Sequence, residues 1–195
     1  MRTSTVERRT RETDIRLTVS LDGSGKTTLD TGIGFFDHML DAFARFGLCD
    51  LNAVCRGDLQ VDSHHTVEDV GICLGKAIRE ALGSREGIRR VGSAYLPMDE
   101  ALAFAAIDIS GRPYLVFEAD FGSDRVGQFD TQLAEEFFRA VCVNAGLTVH
   151  LRVLYGKNDH HKLEALFKAF GLALRDAAAT DPRVVGVPST KGSLD

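Results

Sequence analysis

The sequence predicts an α+β fold in which one β-β-β-α-β-α unit is internally duplicated and its two sheets are packed with helices. Three observations lead there. His64-His65-Thr66-Val67-Glu68 is echoed 96 residues later by His160-His161-Lys162-Leu163-Glu164. At the same offset Gly75, Ala77, Arg79 and Ala81 meet Gly171, Ala173, Arg175 and Ala177, giving seven identities in an 18-residue window, which chance rarely supplies. Finally, the two halves share one order of period-two and period-3.6 segments.

In the first half, residues 3–9, 15–21 and 27–31 read as strands, with clear alternation in Ile15-Arg16-Leu17-Thr18-Val19-Ser20-Leu21. Asp22-Gly23-Ser24-Gly25 carries hairpin-turn residues. Apolar residues at 35, 36, 39, 40, 43 and 46 form a helical stripe that Gly47 ends. Residues 51–55 read as a strand and 63–82 as a long helix capped by Asp62 or Ser63. In the second half, 93–97, 101–109 and 114–121 read as strands, and 131–145 as a helix ended by Gly146. Residues 147–155 follow as a strand, and 159–179 as a helix capped by Asn158 or Asp159. The boundary falls near Ser84-Arg85-Glu86-Gly87, giving halves 1–84 and 85–180. Half a chain of this size buries a modest core alone, so the two should pack together. The last segment, 181–195, has no period and leaves a frayed tail and an ordered functional loop both open.

Composition narrows the function. The chain has 195 residues, 44% hydrophobic and 26% charged, as soluble globular proteins do. Its 19 glycines follow no triplet period, which excludes a collagen-like chain. The longest apolar run, from Ala101 to Ile107, is too short to span a bilayer. The N-terminus has charge but no apolar segment behind it, so no secretory signal is expected. A net charge of −5 argues against a large nucleic-acid-binding face. Cysteines at 49, 55, 73 and 142 lie in apolar stretches without C-x-x-C spacing and read as reduced, buried thiols. The expected location is the cytoplasm.

Chemistry concentrates in the histidines, at 38, 64, 65, 150, 160 and 161. On a helix, residues four apart share a face and neighbours are splayed by about 100°. His64 or His65 can therefore meet Glu68, while the two histidines of a pair reach different ions. The duplicated pair points to two metals sharing ligands from both motifs, since drift would have erased an unused copy. Imidazole plus carboxylate without thiolate suits Zn, Mn, Fe or Ni, with octahedral Mn favoured where open positions must hold substrate. His38 lies on the first short helix, after Gly32-Ile33-Gly34. Glu136 falls within one residue of the equivalent place, counting back from Gly47 and Gly146. Both are candidate ligands. His150 alternates with Val149 and Leu151 on a strand and reads as structural. Lys168 lies one turn beyond Glu164, and Arg112 sits in the turn Ser110-Gly111-Arg112-Pro113. With Arg90 and Lys191 they are the cations that a phosphate beside the metals would want.

Four motifs carry a resemblance. Gly32-Ile33-Gly34-Phe35-Phe36-Asp37-His38-Met39-Leu40, Asp62-Ser63-His64-His65-Thr66-Val67-Glu68-Asp69, Gly156-Lys157-Asn158-Asp159-His160-His161-Lys162-Leu163-Glu164 and Pro188-Ser189-Thr190-Lys191-Gly192 occur in that order. Together they closely resemble the imidazoleglycerol-phosphate dehydratase family of histidine biosynthesis, from Arg8 to Leu194. The phosphatase domain fused to it in some bacteria has no room here. The resemblance implies a duplicated α+β unit of the type seen in the second domain of ribosomal protein S5. It implies a homo-oligomeric shell of 24 subunits, with two Mn²⁺ per active site between subunits. It assigns His38, His64, His65, Glu68, His160, His161 and Glu164 as metal ligands, and Glu136 at a position commonly histidine in the family. Glu12 matches a glutamate that contacts substrate and transfers a proton; Glu68 and Glu164 join it as catalytic residues. Arg90, Arg112, Lys168, Ser189 and Lys191 match phosphate contacts. Residues 181–195 then become a loop that closes on substrate.

That family converts imidazole glycerol phosphate to imidazole acetol phosphate and water, and the residues suit the chemistry. The proton to be lost sits on a carbon bearing hydroxyl and imidazole, with no carbonyl to stabilise a carbanion. Two metals on the ring nitrogens would stabilise an imidazolate, which expels hydroxide through a diazafulvene-like intermediate. Glu12 is a general acid or base, and clamping the phosphate positions the reacting carbons. Two rivals use the same ligands: a dinuclear metal phosphoesterase, which would release inorganic phosphate, and a metal-stapled assembly module without turnover.

Overall fold

A computed structural model describes residues 1–194. The first repeat runs β1 (Thr3–Arg9), β2 (Thr13–Ser20), β3 (Thr27–Asp30), α1 (Gly34–Gly47), β4 (Asp50–Gly57) and α2 (His64–Leu82). The second runs β5 (Val91–Met98), β6 (Ala101–Asp108), β7 (Tyr114–Glu118), β8 (Arg125–Val126), β9 (Phe129–Asp130), α3 (Leu133–Ala145), β10 (Thr148–Tyr155) and α4 (Asp159–Ala178). Each repeat builds a four-stranded sheet, ordered β1-β2-β4-β3 and β5-β6-β10-β7. In both, the outer pairs at the start are antiparallel and the last pair, β3 with β4 or β7 with β10, is parallel. The α+β class and the doubled unit are as the sequence indicates.

Alternation decides which face of each sheet is buried. In β2, Thr13, Ile15, Leu17 and Val19 point inward; in β6, Ala101, Ala103, Ala105 and Ile107 do. Each long helix packs on its own sheet, α2 on β2 and β1, α4 on β5 and β6. The helices then pair across the repeats, α1 against α4 and α2 against α3. One continuous core results, and it draws residues from both halves.

The two cross-repeat contacts are matched and close. A Cβ on Gly75 would lie 2.6 Å from the Val141 carbonyl oxygen, and one on Gly171 would lie 2.4 Å from the Phe43 carbonyl oxygen. Glycine at both positions lets the helix backbones touch. The same contact explains a departure at the end of α1. Gly47 remains helical, and Leu48 takes the left-handed cap at φ 48°. A Cβ on Gly47 would meet the Gly171 carbonyl oxygen at 3.4 Å, so Gly47 serves the helix contact instead of the turn. At the matching place in the second repeat, Gly146 does take the left-handed cap, as expected.

Other departures are local. The two-strand hairpin β8–β9 lies inside what sequence pattern leaves as a loop. β7 stops at Glu118, and α3 starts at Leu133, because Thr131 is buried with its hydroxyl donating to the carbonyls of Ser123 and Asp124. The start of α2 is held by the Asp62 carboxylate, which accepts from the His64 N–H, and not by the Ser63 side chain. Asn158 caps α4 by accepting from the His160 N–H at 2.9 Å. The segment after α4 folds back: the Asp181 N–H donates to Gly87, the Gly87 N–H to Gly186, and Arg90 to the Pro188 carbonyl.

Strand register gives the true equivalence of the repeats. Leu17 pairs with Ala53 as Ala105 pairs with Leu151, and Leu29 pairs with Ala53 as Phe117 pairs with Leu151. The first three strands thus correspond at an offset of 88, and β4 with β10 at 98. The ten extra residues precede α3 and include the β8–β9 hairpin. Only the final helices keep the offset of 96 visible in the sequence.

All four cysteines are buried and unpaired with one another. Burial pushes the Cys49 thiol up to about 12 and those of Cys55, Cys73 and Cys142 up to about 11. No helix among the described residues is long and apolar enough to cross a membrane.

Two substitutions test this packing. Gly171→Ala should cost about 1–3 kcal/mol, because the added methyl overpacks the crossing; urea unfolding reads it. Asp159→Ala should cost about 3–5 kcal/mol, since it strands the buried Lys162 ammonium 2.9 Å away. For the thiols, a disulfide-exchange reagent should label none of the four in native protein and all of them in denaturant.

Candidate metal centre and its flanking carboxylates

The helix crossings place the site. Counting back five residues from Phe43 on α1 reaches His38, and seven from Gly171 on α4 reaches Glu164. These side chains meet: His38 Nε2 lies 3.4 Å, and His160 Nε2 3.2 Å, from Glu164 Oε2. Donor atoms of His38, His160 and Glu164 all fall within 4.8 Å of one another. Phe35 walls the cluster, its ring edge-on to His160 with centroids 5.1 Å apart.

Glu164 is almost buried, and its other oxygen accepts from Lys168 Nζ at 2.6 Å. Burial alone would raise its carboxyl; the Lys168 hydrogen bond and charge, with His38, outweigh that and hold it below the usual range. Its charge is therefore retained beside two imidazoles. Lys168 also sits 4.9 Å from the centroid of the Phe46 ring. Its place one turn beyond Glu164 thus brings it into direct contact with that carboxylate.

The other crossing repeats the layout. Five residues back from Val141 lies Glu136, and seven back from Gly75 lies Glu68. Glu136 is thus the structural counterpart of His38, at the offset of 98 set by the matched crossings. It lines one cavity of about 350 Å³ together with His64 and Gln132. His64 Nε2 faces Glu68 Oε2 at 3.8 Å, so the first histidine of the pair, not His65, meets Glu68. A second cavity of about 480 Å³ runs from His64 to Arg125 and Gln128 on the hairpin. The start of α2 is tied down by Asp69, a buried carboxylate accepting from Arg8 Nε at 3.0 Å and Thr13 Oγ1 at 2.5 Å. At the start of α4, Asp159 accepts from the N–H groups of Gly122 and Ser123 and from Lys162.

The second histidine of each pair turns away, toward the strand hairpins. His65 Nδ1 contacts Asp58 at 3.0 Å, and its Nε2 lies 3.6 Å from Glu12. His161 Nδ1 contacts Glu100 at 2.7 Å, and its Nε2 lies 3.6 Å from Asp99. Both rings are held toward the charged form, chiefly by the hydrogen bonds they make to Asp58 and Glu100. Glu100 is pulled down to about 2, mostly by the Asn158 N–H and the His161 ring. Asp58, Asp99 and Glu100 carry no motif of their own. Glu100 was findable as the partner of Glu12, but only at the offset of 88, which the sequence hides.

Of the expected phosphate residues, Lys168 lies at the cluster beside Glu164, and the other four lie elsewhere in the chain. Arg90 is paired with Asp108 at 2.7 Å and donates to the Pro188 carbonyl at 2.9 Å. Ser189 follows, its hydroxyl accepting from the Lys191 N–H at 3.2 Å, and the Lys191 side chain is exposed. Arg112 is exposed in the β6–β7 turn, at the same end of the second sheet as Arg90. His161 and Glu100 are at the other end, the length of eight-residue β5 away, roughly 25 Å. One chain brings together His38, His160, Glu164 and Lys168, and sets Glu136 on a cavity with His64, but brings neither group to Arg90.

Comparisons with known proteins agree with this geometry. A family model described as imidazoleglycerol-phosphate dehydratase matches residues 31–174. A protein of that name from Symbiobacterium thermophilum is 63% identical over 99% of this chain and 93% of its own. One from Acetivibrio thermocellus is 59% identical over 97% of both. The crystal structure of the Staphylococcus aureus enzyme superposes with a TM-score of 0.84 at 41% identity, covering 92% of this chain and 99% of that one. That of the Pyrococcus furiosus enzyme, in complex with (S)-C348, gives 0.83 at 38%, covering 97% and 100%. A fold with paired H-H-x-x-E helices, matched along its whole length at such identity, admits one assignment: the chain belongs to the imidazoleglycerol-phosphate dehydratase family of hydro-lyases.

Proposed function

We propose that the protein dehydrates imidazole glycerol phosphate to imidazole acetol phosphate, using two Mn²⁺ per active site in a 24-copy assembly with sites between subunits. The meeting of His38, His160 and Glu164 carries this reading. Two imidazole nitrogens and one ionised carboxylate oxygen form a donor set without sulfur that suits Mn²⁺. His64, Glu68 and Glu136 form the counterpart set, where a carboxylate replaces the imidazole of His38. When bound, the ions supply Lewis-acid stabilisation and orientation for the substrate's ring.

The remaining roles fall to the chain's own groups. Glu12 is about half exposed, makes no side-chain hydrogen bond within the described residues, and stands beside His65. It is placed to move the proton between substrate carbon and oxygen. Arg90, Arg112, Ser189 and Lys191 hold the phosphate, and the segment carrying Ser189 and Lys191 closes over it. Lys168 keeps Glu164 charged and adds a cation nearby. Two features of the chain favour sites shared between copies. The cluster of His38, His160 and Glu164 offers three donors, fewer than an octahedral ion needs, while His65 and His161 face outward. The Arg90 group also lies a strand's length from the His161 end of its own chain.

Protein stripped of metal should show no turnover of imidazole glycerol phosphate and regain it with Mn²⁺, with appearance of the acetol product as the readout. Release of inorganic phosphate instead would select the phosphoesterase. Glu12→Gln should lower kcat by about 100-fold or more with Mn²⁺ content unchanged. Parallel loss of metal would make Glu12 a ligand.

A further inference from the structure

Glu12 and Glu100 occupy one position in the duplicated unit, and the structure treats them differently. Both sit in the hairpin between the first two strands of their repeat, related by the offset of 88. Both face the second histidine of the H-H-x-x-E motif in the same repeat. Glu100 is fully engaged. Its Oε1 accepts from the N–H groups of Lys157 at 3.1 Å and Asn158 at 2.8 Å, and its Oε2 contacts His161 Nδ1 at 2.7 Å. Glu12 has only its backbone tied, its N–H donating to Thr10 Oγ1 and its carbonyl accepting from the Asp58 N–H. Its carboxylate stops 3.6 Å from His65 Nε2.

Asp58 explains the difference. It lies just past the end of β4, where the second repeat, shifted by the bulge in β10, has Lys157 at an offset of 99. Its carboxylate contacts His65 Nδ1 with both oxygens, at 3.0 and 3.1 Å. An ionised carboxylate can only accept, so Nδ1 is the donor in both rings. The ring nitrogen left for an incoming ligand is then Nε2 in each case. Carboxylate-to-imidazole contacts of this kind fix ring orientation and strengthen the other nitrogen as a metal donor.

We infer that Asp58 and Glu100 are positioning residues that aim His65 Nε2 and His161 Nε2 outward for metal, and that Asp58, by taking this duty in the first repeat, frees Glu12 to work on substrate. The inference rests on the metal reading above. It also accounts for why one of two equivalent glutamates is available for chemistry: the second repeat has basic Lys157 in place of Asp58, and no carboxylate there to relieve Glu100.

The test is a titration of assembled, full-length protein with Mn²⁺ alone, following the free-ion electron paramagnetic resonance signal. Asp58→Asn and Glu100→Gln should each weaken Mn²⁺ binding by about 10- to 100-fold, at unchanged melting temperature and assembly size. Glu12→Gln, the same change at the equivalent position, should bind within about twofold of the parent while losing turnover. Glu100 also braces the start of α4, so its variant can fail to assemble. Asp58→Asn then decides, because the Asp58 carboxylate touches His65 alone among the described residues. Parent-like Mn²⁺ affinity in the folded Asp58 variant overturns the inference, as does equal weakening in the Glu12 and Glu100 variants. If the unmodified protein binds no Mn²⁺, the metal reading itself fails, and this inference with it.

Discussion

Everything at the site depends on two places where helix backbones touch. Gly171 against Phe43 and Gly75 against Val141 are the points that set how far one helix stands from another. From each point the paired helices run alongside in the same sense for under two turns before reaching the site. A rise of about 1.5 Å per residue puts His38 some 7 Å and Glu164 some 10 Å from their crossing. Over so short a lever the glycine contact fixes the gap between the helices to within a hydrogen bond. A bulkier residue at the crossing would spread the cluster, however intact its own side chains.

The crossing also makes the duplication functional. The observed cluster is assembled from both repeats, His38 of the first with His160 and Glu164 of the second, and Glu136 of the second lines a cavity with His64 of the first, which faces Glu68. Neither repeat holds a complete cluster. This is a stronger tie between halves than a shared apolar core, since losing either half removes a ligand and not just contact area. The partly exposed pair Arg8–Asp69 and the buried pair Asp159–Lys162 act at the next level, fixing the first turns of α2 and α4 on which the histidine pairs stand.

Much of this is legible in the sequence, and the unread part has definite causes. Strand alternation and helical stripes locate the main elements because each has one wet and one buried face. The H-H-x-x-E echo shows the duplication because those residues lie on one helix with no insertion. The hairpin of Arg125–Asp130 is invisible, since two-residue strands have no period. Its length shifts the offset between repeats and so conceals that Glu100 answers Glu12, whereas Glu136 is read as the counterpart of His38, to within one residue, by counting back from Gly47 and Gly146. Gly47 reads as a helix stop from local rules, yet a tertiary contact claims it and leaves the turn to Leu48. Lys168 is placed by its spacing on the face of the ligands, but the sequence does not reveal that it pairs directly with a nearly buried Glu164.

The departures from symmetry are therefore more informative than the symmetry. Two copies of one unit begin with the same carboxylate beside the same histidine. A single additional acidic side chain, Asp58, changes what that carboxylate is free to do. In the second repeat the equivalent glutamate is spent on holding a ring and a helix start, and two backbone N–H groups keep it ionised. In the first, the ring is held by another group, and the half-exposed glutamate makes no side-chain hydrogen bond, only an approach of 3.6 Å to His65 Nε2. A general acid or base has to change partners during turnover, whereas an orienting carboxylate must keep its own. One residue serves both duties poorly, and the duplicated unit separates them.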